Sequence, residues 1–254
     1  MKIMDSLLSA IEKGDKKNAM LLIKTGPLSL LNKRDVSGTT ALMLAALLNY
    51  FDIVQELIAA GADVNVQNNK GNTALIWVSA QLFAKYKDQN ATTWSDRRKH
   101  VNAAQKIATA IVKALIAAGA DVNMADNSGK TPLIYAIENG YTEAAQALIA
   151  GGAYVDSGDN IGDTPLIKAS INGNLPIVEV LIAAGANVHA TNNAGDTAIY
   201  WAKCNCYPEI VNFLIAKGAV EPEILTAHGI VRACISEKKK WIAHIDKVMS
   251  NYGK

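Results

Sequence analysis

Short apolar stretches recur along this chain in pairs, each pair fenced by turn-forming residues. Leu133-Ile134-Tyr135-Ala136 reads as one short apolar helix, and after a tight turn such as Asn139-Gly140 or Asn172-Gly173 comes a second, as in Ile177-Val178-Glu179-Val180-Leu181-Ile182. Ahead of each pair stands a turn. These turns are Asp35-Val36-Ser37-Gly38, Asn68-Asn69-Lys70-Gly71, Asp126-Asn127-Ser128-Gly129, Asp159-Asn160-Ile161-Gly162 and Asn192-Asn193-Ala194-Gly195. Asp or Asn leads each by bonding its own backbone, and Gly supplies the positive φ. Two residues on, Thr40, Thr73, Thr131, Thr164 and Thr197 are placed to cap a helix, and Pro132 and Pro165 follow at the first helical position, where a missing N–H costs nothing. Gly185 and its equivalents end the second helix as left-handed C′ residues.

The pattern is periodic. Gly-Ala recurs at Gly61, Gly119, Gly152, Gly185 and Gly218, with spacings of 58, 33, 33 and 33. The turn glycines Gly38, Gly71, Gly129, Gly162 and Gly195 are spaced 33, 58, 33 and 33. Both markers break by the same 25 residues (58 − 33), so the chain is an array with one insertion. A turn plus two antiparallel helices is too small to bury its apolar face alone, and must stack on its neighbours.

These residues resemble the ankyrin repeat family, whose unit reads D-x-x-G-x-T-P-L-H-x-A with a later I-V-x-x-L-L-x-x-G-A. The resemblance covers about residues 5–222. It implies an all-α ankyrin-repeat solenoid of stacked helix-turn-helix units with connecting β-turn or hairpin fingers, capped at both ends. The expected organisation is a single domain, 1–254: an N-terminal capping repeat at 1–34, repeats at 35–67, 68–125 (with the insertion), 126–158, 159–191 and 192–222, and capping helices at 223–254. Two departures stand out. The family's His slot holds Met43, Ile76, Ile134, Ile167 and Tyr200, which implies a softer row of turns, and Ala41, Ala74 and Ala198 replace Pro in three repeats.

The insertion, roughly Gln81 to Lys106, falls between the two helices of the third repeat. Leu75, Val78, Leu82 and Phe83 extend the apolar face of the first helix, and Ser95 is placed to cap a second running from Asp96 to Ala118, so two over-long helices joined by the loop Asp88 to Trp94 are expected. Lys85, Lys87, Arg97, Arg98, Lys99 and Lys106 against Asp88 and Asp96 leave a net charge of +4 there, with Phe83, Tyr86 and Trp94 among them. Two readings stand: a grafted recognition element, or a tolerated helical extension whose aromatics staple the helices together. At the C-terminus, Trp241, Ile245 and Val248 share one helical face, which reads as a capping helix.

Composition narrows the class. The chain has 254 residues, 50% of them hydrophobic, and 25 Lys+Arg stand against 23 Asp+Glu, which gives no whole-chain reason to expect nucleic acid or an acidic membrane surface. No apolar run approaches the ~20 residues of a spanning helix, and with no signal peptide visible a cytoplasmic location is expected. Chemistry is sparse. His100, His189, His228 and His244 lie far apart in the repeat frame, and Cys204, Cys206 and Cys234 read as buried free thiols. Every Gly serves a turn or a helix end. No metal, cofactor or enzyme activity is expected. Asp63, Asp121, Asp126, Asp156 and Asp159, at fixed turn positions, read as backbone-fixing acids rather than cation ligands.

What remains is binding. In the resembled family, partners are usually proteins, gripped on the concave side by turn tips and by exposed positions of the first helices. Carried onto this chain, the turn-tip candidates are Val36, Ser37, Thr39, Asn69, Lys70, Asn72, Asn127, Ser128, Lys130, Asn160, Ile161, Asp163, Asn193, Ala194 and Asp196. Those on the first helices and their ends are Leu47, Leu48, Trp77, Tyr135, Glu138, Asn139, Ile171, Asn172, Trp201, Cys204 and Asn205. Lys85, Tyr86, Lys87, Trp94, Arg97, Arg98 and Lys99 are the insertion candidates. The expected function is a monomeric, non-enzymatic scaffold or adaptor for a protein partner. The alternative is nucleic-acid or acidic-surface binding through residues 81–106.

Overall fold

The computed structural model describes the backbone of residues 4–80 and 94–220, and the side chains of residues 7–80 and 102–220. It falls into two compact units, residues 1–160 and residues 161–254. The first unit contains α1 (Met4–Glu12), α2 (Lys16–Thr25), a 3₁₀ turn (Leu28–Leu30), α3 (Ala41–Leu47), α4 (Phe51–Ala59), α5 (Ala74–Ser79), α6 (Trp94–Ala117), α7 (Pro132–Glu138) and α8 (Thr142–Ala150). Within it α1 packs on α3, α3 on α5 and α5 on α7, while α2 packs on α4, α4 on α6 and α6 on α8. First helices thus form one row and second helices another. The second unit repeats the arrangement with α9 (Pro165–Asn172), α10 (Leu175–Ala183), α11 (Ala198–Cys204) and α12 (Pro208–Ala216), α9 packing on α11 and α10 on α12. Among the described residues the β-structure is one isolated bridge, Thr191 to Thr197.

Each first helix starts as the threonines require. The hydroxyl oxygens of Thr40, Thr73, Thr131, Thr164 and Thr197 accept the backbone N–H of Met43, Ile76, Ile134, Ile167 and Tyr200 at 3.1–3.4 Å. Four of those five donors, Met43, Ile76, Ile134 and Ile167, are at most 1% exposed. The slot that carries His in the family is therefore a core position here. The second helices bring a leucine every repeat: Leu57, Leu115, Leu148, Leu181 and Leu214 are all 0% exposed. Burying one such side chain stabilises by about 1.5–3 kcal/mol, but only when the neighbouring repeat covers it. That dependence makes the array stack.

The turns are close-packed along the row. At Gly129 (φ 76°) a Cβ would lie 2.8 Å from the backbone nitrogen of Asn160 in the next turn, so both the conformation and the space exclude a side chain. Among the described residues two that are not glycine also adopt positive φ, Asn49 (56°) and Cys206 (59°), each in the turn between the two helices of its repeat.

The third repeat differs from expectation in a specific way. α5 runs from Ala74 to Ser79, and the stretch past Ala80 into which its apolar face was expected to continue lies outside the described residues. Leu82, Phe83 and the loop Asp88 to Thr93 lie outside the described residues. The extension is carried by α6, which has 24 residues against nine in α4 and in α8. It starts at Trp94, which places Ser95 inside the helix rather than at its cap. Its described inner face is Ala104, Ala108, Ile111, Val112 and Leu115, all buried. The proposed C-terminal cap also lies outside the described residues.

Candidate functional site: the row of turns and first helices

In the first unit the leading acid of each turn is consumed by its own loop. One Asp35 oxygen accepts the N–H groups of Ser37 and Thr39 and the Ser37 hydroxyl, all at 2.8 Å. Asn68 does the same for Lys70 and Asn72, and Asp126 for Ser128 and Lys130. Burial alone would raise the Asp35 carboxyl, but its bonds from Thr39 and Ser37 hold it below the ordinary carboxylate value. In the second unit Asn192 accepts from Ala194 and Asp196, both at 3.0 Å. Asp63 and Asp121 likewise accept from Asn65 and Asn123. These acids and amides are backbone fixtures, as their fixed positions suggested.

The row of turns is tied by asparagine instead of histidine. The Asn69 carboxamide donates to Val36 O at 3.1 Å, Asn127 to Asn69 O at 3.2 Å and Asn160 to Asn127 O at 3.1 Å. Backbone bonds run beside them, from Asn69 N to Ser37 O, Asn127 N to Lys70 O and Asn160 N to Ser128 O, and in the second unit from Asn193 N to Ile161 O. A second asparagine ladder joins the loops after the second helices: Asn65 donates to Gly119 O and accepts from the Asp121 N–H of the next loop, and Asn123 does the same with Gly152 O and the Tyr154 N–H. Asn69, Asn127 and Asn160 thus already have structural work. The lost imidazole leaves the turns bridged.

Five residues of the fourth repeat converge. The Lys130 ammonium meets both Glu138 oxygens at 2.8 and 2.9 Å and sits 5.4 Å from the Tyr135 ring centre. The Tyr135 hydroxyl donates to Asp126 at 2.7 Å, and the Ser128 hydroxyl donates to the other Asp126 oxygen at 2.6 Å. Burial would raise the Asp126 carboxyl, yet bonds from Ser128 and Tyr135 hold it below its ordinary value. Burial and then the Asp126 bond push the Tyr135 phenol up to about 12. Ser128, Lys130, Tyr135 and Glu138 were candidates on separate grounds, and the structure makes them one network. Asn139 bridges to the preceding repeat, donating to Ser79 O at 3.2 Å.

The fifth repeat reverses the charges. Asp163 lies 2.8 Å from the Lys168 ammonium, with side chains only 6% and 11% exposed, and accepts the Asn192 carboxamide at 2.8 Å. Asp163 was expected at a solvated turn tip, but it is buried, because Lys168 and Asn192 enclose it. Thr39 is also buried, its hydroxyl 2.7 Å from that of Ser37. Lys168 was not anticipated. It stands 33 residues from both Tyr135 and Trp201, so the repeat register would have exposed it.

The other candidates vary in access. Val36 is fully exposed (100%) and Ile161 is 59% exposed; Ser37, Asn69, Lys70, Asn127, Ser128, Asn160, Asn172, Asn193, Ala194 and Asn205 are exposed. Leu47, Leu48, Asn72, Trp77, Tyr135, Ile171, Asp196, Trp201 and Cys204 are half-buried. Trp201 stacks edge-on against Tyr200, ring centres 5.5 Å apart, and its indole N–H is buried without an acceptor. Lys85, Tyr86 and Lys87 lie outside the described residues, while Trp94, Arg97, Arg98 and Lys99 lie on α6 with only their backbone described. Cys206 is disulfide-bonded rather than a thiol, whereas Cys204 keeps its thiol as expected but is half-buried and hydrogen-bonded with Tyr200. Among the described residues no group of three His, Cys, Asp or Glu is placed to hold a metal ion, and no helix is long and apolar enough to cross a membrane.

Capped first helices, leucine-filled second helices and bonded turns on one period define a helical-repeat protein of the turn-helix-helix type. A family profile described as ankyrin repeats (3 copies) matches residues 4–68, 80–159, 100–192 and 152–225. The chain belongs to the ankyrin repeat family. It is 36% identical over 117 residues to human neurogenic locus notch homolog protein 1, 35% identical over 117 residues to the zebrafish (Danio rerio) protein of that name, and 34% identical over 122 residues to the chicken (Gallus gallus) nuclear factor NF-kappa-B p105 subunit. The match spans 42% of this chain but 5% of the human protein, and 43% of this chain but 12% of the p105 subunit.

Proposed function

We propose that the chain is a non-enzymatic, monomeric scaffold that binds a protein partner through the turn tips and first-helix face of its repeats. Ankyrin repeats are in general protein-interaction repeats, which supports this reading. The observation that carries it is the state of this face in the first unit. Its acids are engaged within their own turns, whereas Val36 stands fully exposed and Trp77 stays half-buried on α5. An exposed apolar side chain and a partly open Trp on the same row of turns and first helices have the composition of an interface anchor. Side-chain bonds at Ser37, Asn69, Asn127 and Asn160 give a rigid platform, so little ordering would be lost on binding. The alternative places nucleic acid or an acidic surface on residues 81–106.

The test is site-specific photocrosslinking. A benzophenone residue at Val36 or Trp77, on the face, should trap one protein, while one at Lys113, on exposed α6, should not. Equal trapping from all three positions, or trapping of nucleic acid from position 106 alone, would overturn the reading.

A further inference from the structure

We infer that the turn-tip face of the first unit takes an acidic, apolar polypeptide segment; this rests on the scaffold reading and specifies its partner. The apolar half of the argument is Leu44 and Trp77. They occupy the same slot, 33 residues apart, on the packed helices α3 and α5, and both are half-buried. Val36, fully exposed, sits in the turn that leads α3.

The charged half is a local imbalance. The turn segments 33–39, 68–72 and 126–130 carry the cations Lys33, Arg34, Lys70 and Lys130 against the acids Asp35 and Asp126. Both acids are saturated by bonds from their own loops, and Asp126 also holds Tyr135. Lys130 is matched by Glu138. Lys33, Arg34 and Lys70 are exposed, and none pairs with a carboxylate among the described residues. Lys70 is held close to Val36, because the adjacent Asn69 bonds Val36 O at 3.1 Å and Ser37 O at 3.0 Å. Three uncompensated cations beside apolar side chains complement carboxylates interleaved with apolar residues. Phosphates would also be attracted. Sequence-tolerant nucleic-acid binding, however, uses successive aromatic stacking surfaces, and of the three equivalent slots in this strip Leu44 is aliphatic, Trp77 is open in part, and the Tyr135 ring has the Lys130 ammonium over it, 5.4 Å from its centre.

The experiment measures fluorescence anisotropy of the full chain with a short labelled peptide alternating Glu with Leu and Phe. Its Gln-for-Glu and Lys-for-Glu versions and an oligothymidylate of equal length are run beside it. The Glu peptide should bind best. An exposed charge pair changes affinity by roughly 1.5- to 5-fold, so K33E/R34E/K70E should weaken the Glu peptide by about tenfold and shift preference to the Lys peptide. The helical circular dichroism melt should not move. Equal binding of the Glu and Gln peptides, or tighter binding of the oligothymidylate through the same three residues, would overturn the inference. Failure of every peptide while the position-36 crosslink persists would overturn it too and leave the scaffold reading standing. Equal crosslinking from positions 36, 77 and 113 would instead sink the scaffold face.

Discussion

The fourth and fifth repeats put opposite charges in one equivalent turn slot, Lys130 in one and Asp163 in the other. In the fourth, the cation Lys130 is in the turn and its acid Glu138 ends the helix, both 27% exposed. In the fifth, the acid Asp163 is in the turn and the cation Lys168 stands on the helix, in the slot of Tyr135, with side chains 6% and 11% exposed. Both pairs close at 2.8 Å. Separation therefore says nothing about which one matters. Burial does: solvent screens the first pair and hardly reaches the second, so removing one partner strands a charge only in the fifth repeat.

The largest effect follows from that difference. Asp163→Ala should cost about 3–5 kcal/mol in a urea titration, because the buried Lys168 ammonium loses its carboxylate. Adding Lys168→Met should recover most of the loss; no recovery would show that Asp163 matters through its turn and the Asn192 bond instead. Thr131→Ala should cost about 1 kcal/mol, and Thr164→Ala the same, since both caps have equal geometry whatever the charges nearby. Unequal costs would mean that the charge environment reaches the caps. Asn49→Gly should stabilise by up to about 1 kcal/mol, because it relieves a positive φ and removes a buried carboxamide whose nitrogen and oxygen both lack partners. Lys130→Ala should cost less than about 1 kcal/mol; a loss as large as that of Asp163→Ala would refute the burial argument.

The last effect is a pH dependence that includes the fourth repeat. The folded chain holds the Tyr135 proton up to about 12, above the ordinary 10 of an unfolded chain. Its contribution is complete below the unfolded value and is lost as pH rises through the folded one. Chemical denaturation across that alkaline window should therefore show a decline that Tyr135→Phe reduces, the remainder coming from Tyr141 and Tyr200, whose phenols are also raised. Asp35 and Asp126, held low, act in the opposite direction: their contribution is present above the ordinary carboxylate value and fades as pH falls below it.

Much of this was legible in one dimension. The period, the five turns, the five threonine caps and the glycines that close the second helices follow from local backbone chemistry, which few residue types satisfy. That is why the family and the all-α fold were readable at once. The miss at the insertion was a local one as well, since Ser95 has the chemistry of a cap while α6 already includes Trp94. What tertiary structure alone decided is which polar groups are already engaged. Asn139 reaches Ser79, 60 residues away, Asn127 reaches Asn69 across 58, and Asn192 reaches Asp163 across 29. Such partners are set by how one repeat lands on the next. Burial, which separates the Asp163 pair from the Lys130 pair and leaves Lys33, Arg34 and Lys70 uncompensated, exists only once the repeats have stacked.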